Sequence, residues 1–92
     1  MKERPVMICT KYRGVFFGYA MDTTGAKVTL ARARNCVYWD ASIHGVFGLA
    51  ATGPGAACRI GPQINSIELR GITAVIEMTQ TAVAAWEASP WR

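Results

Sequence analysis

The sequence predicts a small α+β fold: a mostly antiparallel β-sheet, or a partly open barrel, with one C-terminal helix. Three observations carry this prediction. Short β-branched and aromatic runs recur along residues 5–39, with turn residues between them. A second β-rich run covers residues 65–78, and apolar side chains at helical spacing follow it. Because 92 residues have room for one domain, a single domain over residues 1–92 is expected.

The first two strands are predicted from apolar runs on either side of a short turn. Residues 5–10 are a short apolar run that begins at a proline, and residues 11–14 turn the chain. Residues 15–20 are aromatic and β-branched, which favours a strand. Gly18 within this run predicts a bulge or a close approach of another backbone.

The next strand follows a turn at residues 22–25. Residues 27–30 alternate polar and apolar side chains, as a half-buried strand does, so residues 15–30 are predicted to form a hairpin. Residues 31–35 continue this strand with two arginines on one face. Residues 36–39 are a further strand candidate.

Little regular secondary structure is expected between residues 40 and 62, a segment that contains five glycines and two prolines. A loop of this length in a compact domain is usually functional or contains a short element. Asp40 or Ser42 could cap a single helical turn that runs through Val46 and Phe47.

The last two elements are predicted from residue 65 onward. Residues 65–78 are strongly β-forming, and Gly71 within them indicates a second bulge. Thr79 has the character of a helix N-cap, with the helix running to about Ala88, before a Ser-Pro pair that stops it. Its apolar side is formed by Ala82, Val83 and Trp86.

Composition excludes several classes of protein. Hydrophobic residues make up 51% of the chain and charged residues only 17%, so intrinsic disorder is not expected. The low charge density favours burial of surface in a homo-oligomer. No signal peptide and no membrane-spanning stretch is evident, which predicts a cytoplasmic protein without a membrane partner.

Neither a metal site nor a catalytic site is predicted. Cys9, Cys36 and Cys58 form no CxxC pair, and with His44 they lack the close ligand pairs of structural zinc sites. A Cys–His–Asp site can be written with Cys36, His44 and Asp40, but nucleophile and base must also meet in space. We therefore expect no enzyme, no catalytic residue and no cofactor.

The glycine-rich loop at residues 53–62 contains Arg59 and has two interpretations. Its glycines would let backbone N–H groups approach an anion while Arg59 clamps phosphate. Alternatively, the glycines shape tight turns between strands, which is the commoner use of such residues.

The arginines and aromatics of the third strand extend the first interpretation. If Arg32 and Arg34 share a face, they could line a basic groove together with Arg59, where Tyr38 or Trp39 stacks on a base. These five residues are the predicted ligand-binding set. The alternative is that the arginines are solvated residues that protect a strand edge. Trp91, beyond the helix, is where a subunit or partner contact is expected.

The chain resembles a family of short, functionally uncharacterised proteins encoded by tailed bacteriophages and prophages. The residues that carry the resemblance are YRGVFFGYA (12–20), VTLARARNCVYW (28–39), GVFGLAATGP (45–54), CRIGP (58–62) and ELRGITAVIEMTQTAVAAW (68–86). The resemblance implies a phage accessory protein that acts in the host bacterial cytoplasm. Such proteins often counter host defence, by blocking a host protein or by sequestering a nucleotide signal.

Together these observations favour a non-enzymatic, oligomeric binder that captures a small anionic ligand such as a signalling nucleotide. A protein–protein inhibitor or adaptor of a host defence protein is the first alternative, and a nucleic-acid-binding module is the second. A net charge of +4 is modest for a duplex binder, which usually carries a denser basic stripe.

Overall fold

A computed structural model describes residues 2–91 of the chain, and its centre is one antiparallel sheet. Two α-helices and two 3-10 turns connect or cover the strands. In chain order the elements are β1 (Arg4–Thr10), a 3-10 turn (Lys11–Arg13), β2 (Gly14–Ala20), β3 (Val28–Tyr38), a 3-10 turn (Ala41–Ile43), α1 (Gly45–Ala51), β4 (Arg59–Ile60), β5 (Ile64–Leu69), β6 (Ile72–Glu77) and α2 (Gln80–Ala88).

Every strand pairing in the sheet is antiparallel. β6, β1, β2 and β3 follow one another across the sheet, and the far side of β3 pairs with β5 along one half and β4 along the other. The α+β class, the predominance of antiparallel strands and the C-terminal helix are thus confirmed. Neither helix is long enough to cross a membrane, and no candidate span occurs between residues 2 and 91.

The long third strand joins two segments that the sequence presented separately. β3 runs unbroken through residues 28–38, and it pairs with β2 as the predicted hairpin requires. The register between the two strands shifts around Gly18, where a Cβ would lie 2.8 Å from the Cβ of Leu30. The close approach and the bulge predicted at Gly18 are confirmed.

The bulge predicted at Gly71 is wrong, because the chain changes strands there. β5 pairs with β3 and β6 pairs with β1, so the two-residue link between Leu69 and Ile72 joins opposite edges of the sheet. In a flat sheet, four strand spacings would separate these edges by about 19 Å. Three Cα–Cα steps reach only about 11 Å, so the sheet must curl. It stays open, since no ladder joins β5 to β6 in the described chain.

Apolar clusters cover both faces of the curled sheet. On one face, Met7 and Phe17 pack beneath α1 and α2, and Trp86 of α2 stacks on Phe17 with ring centroids 5.4 Å apart. The indole nitrogen of Trp86 donates to the backbone oxygen of Leu49, which ties the two helices together. The other face carries a second cluster that is centred on Ile8 and Leu30.

Both helices lie close to the positions that the sequence predicts. Thr79 caps α2, and its side chain accepts a hydrogen bond from the Ala82 backbone N–H, as predicted. The helical turn expected near Val46 is longer than predicted, because a 3-10 turn and the seven residues of α1 both fold there. β4 was not predicted, since its two residues leave no periodic pattern.

Candidate functional site

Arg34 is buried in the core and does not face a ligand groove as a free cation. Only 6% of the residue is exposed. Its Nε donates to the oxygen of Gly61 at 2.8 Å, and its Nη1 donates to the oxygens of Trp86 and Ser89 at 2.8 and 2.6 Å. Two of these acceptors lie at the C-terminus of α2, where carbonyls lack helical partners and a positive charge is favoured.

Arg32 contacts different groups from Arg34, although the two arginines are only two positions apart in the chain. Its backbone has a φ of 49°, so a bulge interrupts the alternation that would place the two arginines side by side. Its guanidinium pairs with the carboxylate of Glu3 and lies over the ring of Tyr19 at 4.3 Å. Arg32 and Arg34 therefore share no partner, and the structure does not join them in one basic groove.

Arg59 and Tyr38 are brought together, as cross-strand neighbours of β4 and β3. Both side chains are exposed, and Arg59 forms no ion pair within residues 2–91. Trp39 follows Tyr38 directly and is half-buried against the core. Of the five predicted binding residues, Tyr38 and Arg59 are exposed cross-strand neighbours, and Trp39 follows Tyr38 in the chain.

The glycine-rich loop packs against protein. Gly53 lies so close to α2 that a Cβ would be 2.5 Å from the Cβ of Ala85. The N–H of Gly61 donates to the backbone oxygen of Asn35, and its carbonyl accepts from Arg34. These contacts favour the turn-shaping interpretation of the loop over the anion cradle.

A groove beside Trp39 brings an aromatic ring and an unpaired cation together. We call it the Trp39 groove; it has a volume of about 500 Å³. Trp39 and Val46 form its apolar part, and Arg13, Thr10 and Thr73 supply polar groups. It is completed by Cys9, Gly14 and Val15. In the described part of the chain Arg13 forms no ion pair and no side-chain hydrogen bond.

Arg13 reaches the groove from a turn with unfavourable backbone geometry. Tyr12 and Arg13 both have left-handed backbones, with φ of 65° and 66°. This conformation suits glycine or asparagine, and it costs other residues roughly 1 kcal/mol or more each. Tyr12 is 99% exposed and gains no packing in return. The left-handed turn is therefore a local cost in stability that the contacts of Tyr12 do not offset.

Sequence reasoning assigned residues 11–14 only to a turn and so missed Arg13. One signal was present: a turn of three residues between strands usually contains glycine or asparagine, and Lys11, Tyr12 and Arg13 are neither. The position of Arg13 beside Trp39 is not visible in the sequence, because 25 residues separate them.

Cys36, His44 and Asp40 form no hydrogen-bonded triad in residues 2–91. The Cys36 sulfur contacts the backbone oxygen of Tyr38, and the Asp40 carboxylate accepts from Ser42. His44 is exposed. No cluster of three metal-ligating side chains occurs in the same part of the chain.

Alkylation of the native protein at pH 8 is expected to modify Cys9 first and to leave Cys36 largely unmodified. Burial, with a smaller effect of nearby Cys58, raises the pKa of Cys36 from 9.0 to about 11. Burial raises the pKa of Cys9 as well, but Cys9 is only half-buried, whereas Cys36 is buried. Because the folded pKa is the higher one, the stability that the neutral thiol contributes is complete below pH 9 and is lost as pH rises through 11.

Iodoacetamide labelling followed by peptide mass mapping measures this order. All three cysteines should react in urea, which serves as the control. Labelling of Cys36 in the native protein at the rate seen in urea would contradict the assignment.

The model of a family described as a domain of unknown function (DUF6948) matches residues 3–86. The match covers most of the chain and agrees with the expected membership of an uncharacterised family. No curated protein and no solved structure matches the chain.

Proposed function

The chain belongs to the DUF6948 family, and we propose that it is a non-enzymatic, homo-oligomeric protein that binds a small anionic, nucleotide-like ligand in the Trp39 groove. The observation that supports this most is the placement of Trp39 and Arg13 on one groove. An indole offers a stacking surface to a base, and a guanidinium binds phosphate through two parallel hydrogen bonds. Thr10 and Thr73 add hydroxyl groups that suit a ribose or a phosphate.

The charges around the groove agree with an anionic ligand. Lys11 lies two residues before Arg13 in the same turn. Among residues 2–91, no carboxylate lines the groove. A groove of about 500 Å³ lies within the usual range for ligand sites.

The sequence favours sequestration of the ligand as the use of such a site. The resemblance to phage and prophage proteins supports a role in the cytoplasm of a bacterial host, where the protein would remove a signalling nucleotide on which host defence depends. A binder that works by sequestration needs no catalytic group, and the proposal assigns it none.

We expect native mass spectrometry to detect one bound nucleotide per groove when the protein meets a panel of cyclic and linear nucleotides. Arg13→Ala and Trp39→Leu should each weaken that binding at least about tenfold, because each removes one of the two main contacts. Leucine keeps an apolar side chain at position 39, and the melting temperature reports whether either variant still folds.

Arg70→Ala is the matched control, since Arg70 is exposed, pairs with Glu68 and does not line the groove. Arg59→Ala tests whether the ligand binds at the glycine-rich loop, as the sequence indicated, instead of in the Trp39 groove. Loss of binding in Arg59→Ala with none in Arg13→Ala would move the site to that loop. Absence of binding across the panel would reject the nucleotide proposal.

A protein inhibitor or adaptor remains the second candidate because two large apolar side chains face solvent. Phe47 on α1 is 79% exposed, and Trp91 is 72% exposed although its backbone bridges to Ile60. A single stoichiometric partner recovered from host lysate, and lost with Trp91→Ala, would favour this function. A nucleic-acid-binding module would be distinguished from both of these functions by a binding affinity that falls steeply as the salt concentration rises.

A further inference from the structure

β6 is an edge strand with no neighbour on its outer side. It pairs with β1 alone, and apart from that ladder no backbone hydrogen bond within residues 2–91 involves residues 72–77. Half of the N–H and C=O groups of an edge strand point outward, where they can pair with a further strand.

This edge carries few of the features that keep edge strands apart. Its sequence, ITAVIE, contains no lysine or proline, and its single charge is at its end. A register shift between Cys9 and Thr10 disturbs only the first residues of β6. By contrast, β4 is two residues long, and β5 exposes Asn65, Ser66 and Glu68 as well as Ile64 and ends beside the Glu68–Arg70 ion pair.

The charges at the two ends of β6 are complementary. Glu77 closes the strand, and its side chain is 91% exposed although it pairs with Arg4 at 3.7 Å. At the other end the Lys11 side chain lies beside Gly71, with its Cδ 3.7 Å from where a Cβ would be, and Lys11 forms no ion pair in the described chain. In an antiparallel pair of β6 strands, the acidic end of each copy meets the basic end of the other.

We propose that two copies of this chain pair antiparallel along β6, centred on Ala74, so that Glu77 of each copy lies opposite Gly71 and faces Lys11 of the other. The exposed Phe47 lines a shallow groove with Ile76 and Glu77 and extends the apolar surface beside this edge. The pairing specifies the surface of the oligomer in the proposed function, but it depends on the strand edge and not on any ligand.

The pairing also places the second copy at the rim of the Trp39 groove. Thr73 belongs to both β6 and the groove. A dimer along β6 therefore adds a wall beside the groove and shields a ligand from water on that side.

Sedimentation velocity of the ligand-free protein tests the proposal. The wild type should be a dimer, and Val75→Lys should shift it to the monomer by raising the dissociation constant at least about tenfold, because lysine repels strand addition. Val75 is partly exposed, so the variant should keep its circular dichroism spectrum. Ser66→Lys on β5 is the matched control and should remain dimeric.

Charge variants test the register. Lys11→Glu and Glu77→Lys should each weaken the dimer, and the double variant should restore it. A monomeric wild type, or a Val75→Lys variant that stays dimeric, would overturn the proposal, as would a double variant weaker than both single ones. A monomer that still binds nucleotide would overturn only the pairing, whereas a dimer that binds none would overturn only the ligand.

Discussion

Replacing Arg34 by methionine is expected to lower the free energy of unfolding by about 3–4 kcal/mol, because three backbone carbonyls lose their donor at once. Methionine has a similar length, so the loss comes mainly from the oxygens of Gly61, Trp86 and Ser89 left without partners. For a domain of this size the melting temperature should fall by roughly 15–25 °C. Urea denaturation followed by tryptophan fluorescence measures the change.

Arg32→Met is the control from the same strand. Arg32 is exposed, and it makes an ion pair and a cation–π contact at the surface, where solvent screening leaves both a small contribution to stability. Equal losses in the two variants would show that the buried contacts of Arg34 are not what stabilises the C-terminus of α2.

Replacing Gly48 by alanine is expected to destabilise the fold by about 2 kcal/mol, since overpacking outweighs the gain in helix propensity. A Cβ on Gly48 would lie 1.4 Å from the backbone oxygen of Ile43, so α1 and the preceding 3-10 turn would have to separate. In an open helix the same change stabilises by up to about 1 kcal/mol. The sign of the effect, measured by thermal and urea unfolding, decides between these outcomes.

Gly25→Ala supplies the comparison. Its Cβ would meet nothing closer than 3.6 Å, and its φ is not positive, so the variant should be neutral or slightly stabilising. A Gly48→Ala variant as stable as Gly25→Ala would mean that α1 does not pack so closely on the turn before it.

The candidate site was less predictable than the fold. The sequence indicated an aromatic residue and arginines, and Trp39 does line a groove. It pointed to Arg34 as a ligand residue, but neither its burial nor its three carbonyl partners can be inferred from an alternating strand. Arg13, the cation that the groove contains, belongs to a turn whose only anomaly is the absence of glycine.

Local patterns determined what is local in this protein: the runs that form β1, β2 and β3, the close approach at Gly18, and the Thr79 cap of α2. The runs and the cap depend on neighbours within a few residues, and Gly18 is recognised as a glycine inside a strand run, so all of them can be inferred from the printed chain. Only the tertiary structure decided that Gly71 joins opposite edges of the sheet and that Arg34 caps α2 from beneath. It alone placed Arg13 beside Trp39, because the curl of the sheet sets which distant residues meet.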